Sequence, residues 1–458
     1  MPGSRRRGTH LAALSSVANA PQWLPPPPCD ARTPTPRPDP TKSKRQALAL
    51  FGAGSGLAAL TTDPGALIAL RALLGVGAAL VMPATLSTIT STFPPERRAR
   101  GVAAWAAVAG AAAVLGLFAT GILLELWSWP SIFVLNVVLA VLALAGTLLF
   151  VPESAEPDAP RLDVVGALLA VAGLGSLVYA VIEAPVRGWA DPRTLVGALA
   201  GLALLAGFVR WELRRRHPLL DPRLFRERRF AAGTLSITCQ FFAFFGYLFV
   251  IMQYLQLVRE RSALAAAVAL LPMALGMMPA ARLSPRLTDR FGARGPWVAG
   301  LLLIAGAPAS LGLLDAGSSG WQVAAVLFPL GLGAGLAMTP ATTAITEALP
   351  SALQNVGSAM NDLARELGGA LGIAVLGSVL TAGYRDRVDV TGLPPQLADA
   401  ARSSLAAASR FGPPVADRAR DAFVDAMHLT VLTAAGVVAL AAVAVALLLR
   451  GTTARTGR

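Results

Sequence analysis

Charge is scarce in this 458-residue chain: Asp, Glu, Lys and Arg together make up 14% of it, against about 25% in an average soluble domain. So few charges leave too little polar surface to wrap a soluble domain of this length. Cysteine and histidine are scarcer still, with two and three copies. Cys29 sits in a proline-rich tail, Cys239 in an apolar block, and the histidines are scattered, so no disulfide framework or metal-ligand spacing is present. GxSxG, HExxH and P-loop strings are missing, which excludes the hydrolase, metalloprotease and nucleotide-driven classes they mark and leaves no catalytic constellation. Without an ATP-binding domain, any work the chain performs must draw on an ion gradient, and no cofactor is called for. Acids are outnumbered by bases, 26 to 39, for a net charge of +13. The basic residues lie between hydrophobic blocks rather than on one face among aromatics, so they argue for membrane topology and against nucleic acid.

What the chain has in abundance is apolar sequence: 55% of residues are hydrophobic and the mean hydropathy is +0.60. The apolar residues fall in blocks near 46–62, 66–92, 101–124, 131–151, 164–183, 194–212, 230–257, 263–283, 296–314, 321–346, 357–382 and 427–449. Each is long enough for a helix to cross a hydrocarbon core of about 30 Å. The expectation is an all-α integral membrane protein with about twelve spans. Residues 1–45, with Arg5 to Arg7, the Pro25 to Pro28 run and TPTPRPDP, read as irregular and hold no signal-peptide core.

Basic residues in short connections orient the spans. Lys42, Lys44 and Arg45 precede the first, Arg97, Arg98 and Arg100 follow the second, and Arg214 to Arg216 with Arg223, Arg226, Arg228 and Arg229 follow the sixth. These share one side with Arg286, Arg290, Arg294 and the 450–458 tail, so both termini are expected in the cytoplasm, with 384–420 an extracytoplasmic loop.

An internal repeat organises the spans. Gly75-Val-Gly77-Ala-Ala-Leu-Val-Met-Pro83-Ala-Thr matches Gly331-Leu-Gly333-Ala-Gly-Leu-Ala-Met-Thr-Pro340-Ala-Thr, and Gly101 to Gly116 matches Gly357 to Gly372. The second and third spans thereby correspond to the tenth and eleventh, eight helices on. Two halves of six with two helices between them would give that offset, and the first half then lacks its first two helices, where residues 1–45 stand. The expected division is 46–151 for a partial first half, 152–229 for two linker helices and a basic connection, and 230–449 for the second half. Chance similarity in Gly- and Ala-rich helices is the alternative.

Leu70-Arg71-Ala-Leu-Leu-Gly75-Val-Gly77-Ala-Ala, followed by Met82-Pro83, resembles the fourth helix of fourteen-helix drug/proton antiporters of the EmrB/QacA type in the major facilitator superfamily. The resemblance covers about residues 46 to 450. It implies the major facilitator fold, proton-coupled export of lipophilic or cationic small molecules by alternating access, a cell-membrane location and a monomer. It implies proton coupling for Arg71, which must face the bundle interior or water, or else snorkel to the outer interface. Leu74 stands where the family often has Gln. The glycines Gly110, Gly116 and Gly121 resemble the antiporter motif of the fifth helix, although Leu117 replaces its Pro and Thr120 its Gly; a packing face of small residues is the plainer reading.

Asp289-Arg290-Phe-Gly292-Ala-Arg294 is similar to the family's cytoplasmic loop motif, a gate latch or a set of topogenic charges. Gly357-Ser-Ala-Met-Asn361-Asp362-Leu-Ala-Arg365-Glu366-Leu-Gly368-Gly369-Ala-Leu-Gly372 resembles a stretch of the fourteen-helix subgroup. Asn361 and Arg365, four apart, share a helix face directed at a cavity or at a neighbouring helix. The seventh span carries Phe241, Phe242, Phe244, Phe245 and Tyr247, with Gln240, Gln253, Tyr254 and Gln256. The resemblance makes it a cavity-lining helix whose ring faces suit lipophilic substrates or cations; packing against lipid or protein is the alternative. A permease for one metabolite and a membrane remnant without transport are the rival functions.

Overall fold

The computed structural model describes residues 40–92, 108, 112, 115–150, 163–215, 218–311, 314, 315, 317–349 and 354–450. Within them the chain is helical: α1 (Pro40–Leu60), α2 (Pro64–Thr92), α3 (Leu115–Leu126), α4 (Ser131–Phe150), α5 (Val164–Arg187) and α6 (Pro192–Glu212) come first. Then follow α7 (Arg228–Gln253), α8 (Ala263–Ala269), α9 (Leu271–Phe291), α10 (Arg294–Leu311), α11 (Gly320–Glu347), α12 (Gln354–Arg387), α13 (Pro395–Ser403), α14 (Leu405–Ala408) and α15 (Pro413–Leu448). Among the described residues nine stretches are long and apolar enough to cross a membrane: α2, α4, α5, α6, α7, α8 with α9, α11, α12 and α15. Two shorter apolar helices, α3 and α10, and the more polar α1 fall in the other three blocks read from the sequence.

Two boundaries differ from expectation. The helix α1 opens at Pro40, so residues 40–45 are its first turns rather than irregular chain. The segment expected as a loop over 384–420 contains the end of α12, the short helices α13 and α14, and the start of α15. Hydropathy cannot see those turns of α15, because Asp417, Arg418, Arg420 and Asp421 crowd them. They are held by ion pairs instead: Arg418 with Asp389 at 2.8 Å, and Arg420 with both Glu260 and Asp417. The Tyr384 hydroxyl donates to the Ala401 carbonyl at 2.9 Å and ties α13 to the end of α12.

Helix pairing repeats in the two parts of the chain. The helix α1 packs on α2 and α4, and α10 packs on α11 and α15 in the same order. Between the two parts, α5 and α6 form a hairpin whose α5 leans on α12, with the Ser378 hydroxyl donating to the Val181 carbonyl at 2.5 Å. Asp163 closes the hairpin's open end: it caps α5 by accepting from the Gly166 N–H, accepts from Trp211 Nε1 at 2.9 Å, and pairs with Arg215 at 3.3 Å. Those donors, the Gly166 N–H foremost, hold its carboxyl below the usual carboxylate range.

The inside of the bundle is α7, α11 and α12, half of whose span residues are buried, against 11% in α2 and α4. Glycine permits that packing. Gly331 and Gly335 of α11 lie against the backbone carbonyls of Met273 and Met277 on α9, and Gly368 and Gly372 of α12 against those of Thr238 and Phe242 on α7. Any side chain there would hold the helices apart, which is how small residues drive helix association in lipid.

Candidate functional site

The α7–α12 seam splits the aromatic run of α7 into two faces. Gln240, Ala243, Tyr247, Val250 and Tyr254 point inward and are 4% exposed or less. Gln240 donates to the Ser236 hydroxyl at 2.9 Å, and Trp297 of α10 donates its indole N–H to the same oxygen at 2.7 Å. A buried polar side chain demands such partners, so Gln240 is part of the α7–α10 packing. Tyr247 is buried with its hydroxyl unpartnered. Both residues stand apart from the open face.

Phe241, Phe244 and Phe245 form that open face. Their ring centroids are 5.4 to 6.1 Å apart, with Phe244 and Phe245 edge to face. Arg365 of α12 extends over Phe241, its guanidinium carbon 5.4 Å from the ring centroid. A cavity of about 380 Å³ continues from Phe245 along the same stripe, lined by Leu248, Phe249, Met252, Gln253, Gln256 and Leu257 of α7 and its π turn and by Ile373 of α12. Its floor is shaped by glycine, since Gly369 and Gly377 of α12 face the rings of Phe245 and Phe249. The structure therefore brings together Phe241, Phe244, Phe245 and Arg365. Asn361 is turned to α11, where its side-chain oxygen accepts from the Thr342 hydroxyl at 3.2 Å. Of the groove's far half, the amides Gln253 and Gln256 were legible in the sequence, whereas Leu248, Phe249, Met252 and Leu257 were not, although Leu248 and Met252 continue the Phe241 and Phe245 stripe at helical spacing.

The remaining predicted residues lie elsewhere. Arg71 is exposed on α2, with its guanidinium carbon 5.8 Å from the Phe133 ring of α4. Leu74, one turn on, packs with Ala58 and Phe133. Gly110 falls outside the described residues. A side chain at Gly116 would meet open space, whereas one at Gly121 would press on the backbone of Leu264 in α8. Beside it, Ser262 donates to Glu125 at 2.9 Å, joining α3 to α8. Asp289, Arg290, Gly292 and Arg294 form the turn from α9 to α10; Gly292 has a φ of 76°, which a side chain would strain. Arg290 stacks on Phe291, and among the described residues Asp289 makes no ion pair.

The profile of the Major Facilitator Superfamily matches residues 47–373. The chain belongs to that superfamily. Its similarity to the tetracenomycin C resistance and export protein of Streptomyces glaucescens is 32% identity over 419 residues, covering 87% of this chain and 77% of that protein. To the multidrug efflux pump LfrA of Mycolicibacterium smegmatis it is 34% identical over 411 residues, covering 87% and 81%. The multidrug resistance protein Stp of Mycobacterium tuberculosis is 36% identical over 338 residues, which cover 73% of this chain and 62% of Stp. The chain thus spans less than two thirds of that relative's length.

Solved structures carry the same fold at low identity. A bacterial homolog of the human lysosomal transporter Spinster, in an inward-facing and occupied conformation, aligns over 89% of this chain and 82% of its own with a TM-score of 0.54 and 17% identity. The peptide transporter PepTSo aligns over 91% and 84% with a TM-score of 0.58 and 15% identity. As a major facilitator protein the chain is a multi-pass membrane protein.

Proposed function

We propose that the chain exports amphipathic, lipophilic small molecules across the cell membrane by alternating access, driven by a proton gradient, as a fourteen-helix drug/proton antiporter does. The groove between α7 and α12 carries this reading: a cavity of about 380 Å³, lined by aromatic and aliphatic side chains with Gln253 and Gln256 as its amides, suits one drug-sized molecule. The relatives' functions, multidrug efflux and tetracenomycin C resistance and export, support the same substrate class. Arg71 is the proton-coupling candidate and the Asp289–Arg294 turn the cytoplasmic gate, with both termini in the cytoplasm and a monomer as the working unit. In everted vesicles a proton gradient should drive uptake of a lipophilic dye. Arg71→Ala should abolish the gradient-dependent part; equal accumulation by the variant and the wild type would sink the coupling role.

A further inference from the structure

Arg365 lies eleven residues into α12, roughly 16 Å along the helix from its start. It is half-buried, its Nε is shut off from solvent, and that Nε has no hydrogen-bond partner. Among the described residues the guanidinium makes no ion pair. Asp362, one turn earlier on α12, is near enough to be felt electrostatically but does not close on it, and Glu366 next to it is exposed. Thr342 of α11, the nearby hydroxyl, is committed to Asn361. The Phe241 ring attracts the cation but supplies no acceptor to a group with five N–H donors. Leaving the Nε–H unpaired inside a membrane-spanning bundle is costly, and a residue of this kind marks a functional site by default.

We propose that Arg365 is the acid-recognising group of the α7–α12 groove, and that the groove favours flat, lipophilic molecules bearing a carboxylate, sulfonate or similar anion. This rests on reading the groove as the substrate site. The guanidinium fork matches the two oxygens of such a group. Next to it, the Phe241, Phe244 and Phe245 cluster offers a hydrophobic bed for a ring system. A cationic ligand meets the opposite situation at this end, because the Phe241 face is already covered by the protein's own cation.

Two dyes that share one ring system test the charge preference: anilinonaphthalene sulfonate and its uncharged parent, phenylnaphthylamine, titrated by fluorescence against the purified full chain in detergent. R365Q should weaken sulfonate binding about tenfold, the scale of one charge-assisted hydrogen bond, and leave phenylnaphthylamine binding unchanged, which also shows the variant folded. R365K should recover part of the loss. Phe245→Ala should weaken both dyes. If R365Q affects both dyes equally, or neither, acid recognition is refuted while the groove survives. If Phe245→Ala leaves both dyes untouched, the groove is not the binding site and the proposal falls with it.

Discussion

Replacing Gly372 by alanine tests whether the α7–α12 seam builds the groove. A Cβ at this position would lie 2.8 Å from the carbonyl carbon of Phe242 and 2.9 Å from its Cα, and closer still to its carbonyl oxygen. Ordinary carbon contacts begin at 3.4 Å, so the seam must open by at least 0.6 Å, and more to clear the oxygen. The obstacle is helix backbone, which has no rotamer to change. The adjoining contacts, Gly368 on Thr238 and Gly246 on Gly372, resist the same movement. Overpacking of a dense interior costs about 1–3 kcal/mol, and the rigidity of these neighbours places Gly372→Ala near the top of that range. Gly436→Ala in α15 is the control, because nothing lies within 4 Å of a Cβ there; replacing a mid-helix glycine should stabilise by up to about 1 kcal/mol. Thermal unfolding in detergent should show a lowered midpoint for Gly372→Ala and an unchanged or raised one for Gly436→Ala, with dye binding lost only in the former. Equal midpoints for the two variants would refute the argument that close backbone approach shapes this site.

Ser236→Ala removes the acceptor shared by Gln240 and Trp297, leaves two buried donors unpaired and should cost about 1–3 kcal/mol in the same melt. Gly121→Ile should wedge α3 away from α8 and lower transport about tenfold, roughly 1.4 kcal/mol, whereas Gly116→Ile, facing open space, should transport normally in the vesicle assay. Asp389 is held well below the ordinary carboxylate range by hydrogen bonds from the Thr391 side chain and backbone and from Arg418. The unfolded chain takes up this proton near about pH 4, so the stability it lends the α12–α15 connection is complete above that pH and lost as pH falls toward the lower folded value. Asp389→Asn should therefore lose less stability than the wild type when melts at about pH 5 and about pH 3 are compared.

Nine of the twelve apolar blocks fall on stretches of the described residues long and apolar enough to cross a membrane, because lipid demands length and apolarity, both of which are written locally along the chain. Where the demand ends, legibility ends: the first turns of α15 are charged, and only the partners Asp389 and Glu260, far off in sequence, make them part of the packed structure. The one-turn spacing of Gly331 and Gly335 was legible as well, and both meet α9. Which neighbour each glycine meets was not.

The site shows the same division. Helical spacing alone separates Gln240, Tyr247 and Tyr254 from Phe241, Phe245 and Met252, but it does not say which stripe is buried. Gln240 looked suited to a cavity because an amide in an apolar span is conspicuous; Trp297, on a helix two spans later, supplies the reason it is buried. Asn361 and Arg365 were paired by their four-residue spacing, yet they end in different circumstances. The Asn361 carbonyl accepts from Thr342, and among the described residues the buried Arg365 Nε has no hydrogen-bond partner. A bond already made serves packing, whereas a guanidinium with a buried, unfilled donor beside an open aromatic groove is available to a ligand. That difference singles out Arg365 from the other polar residues of the seam.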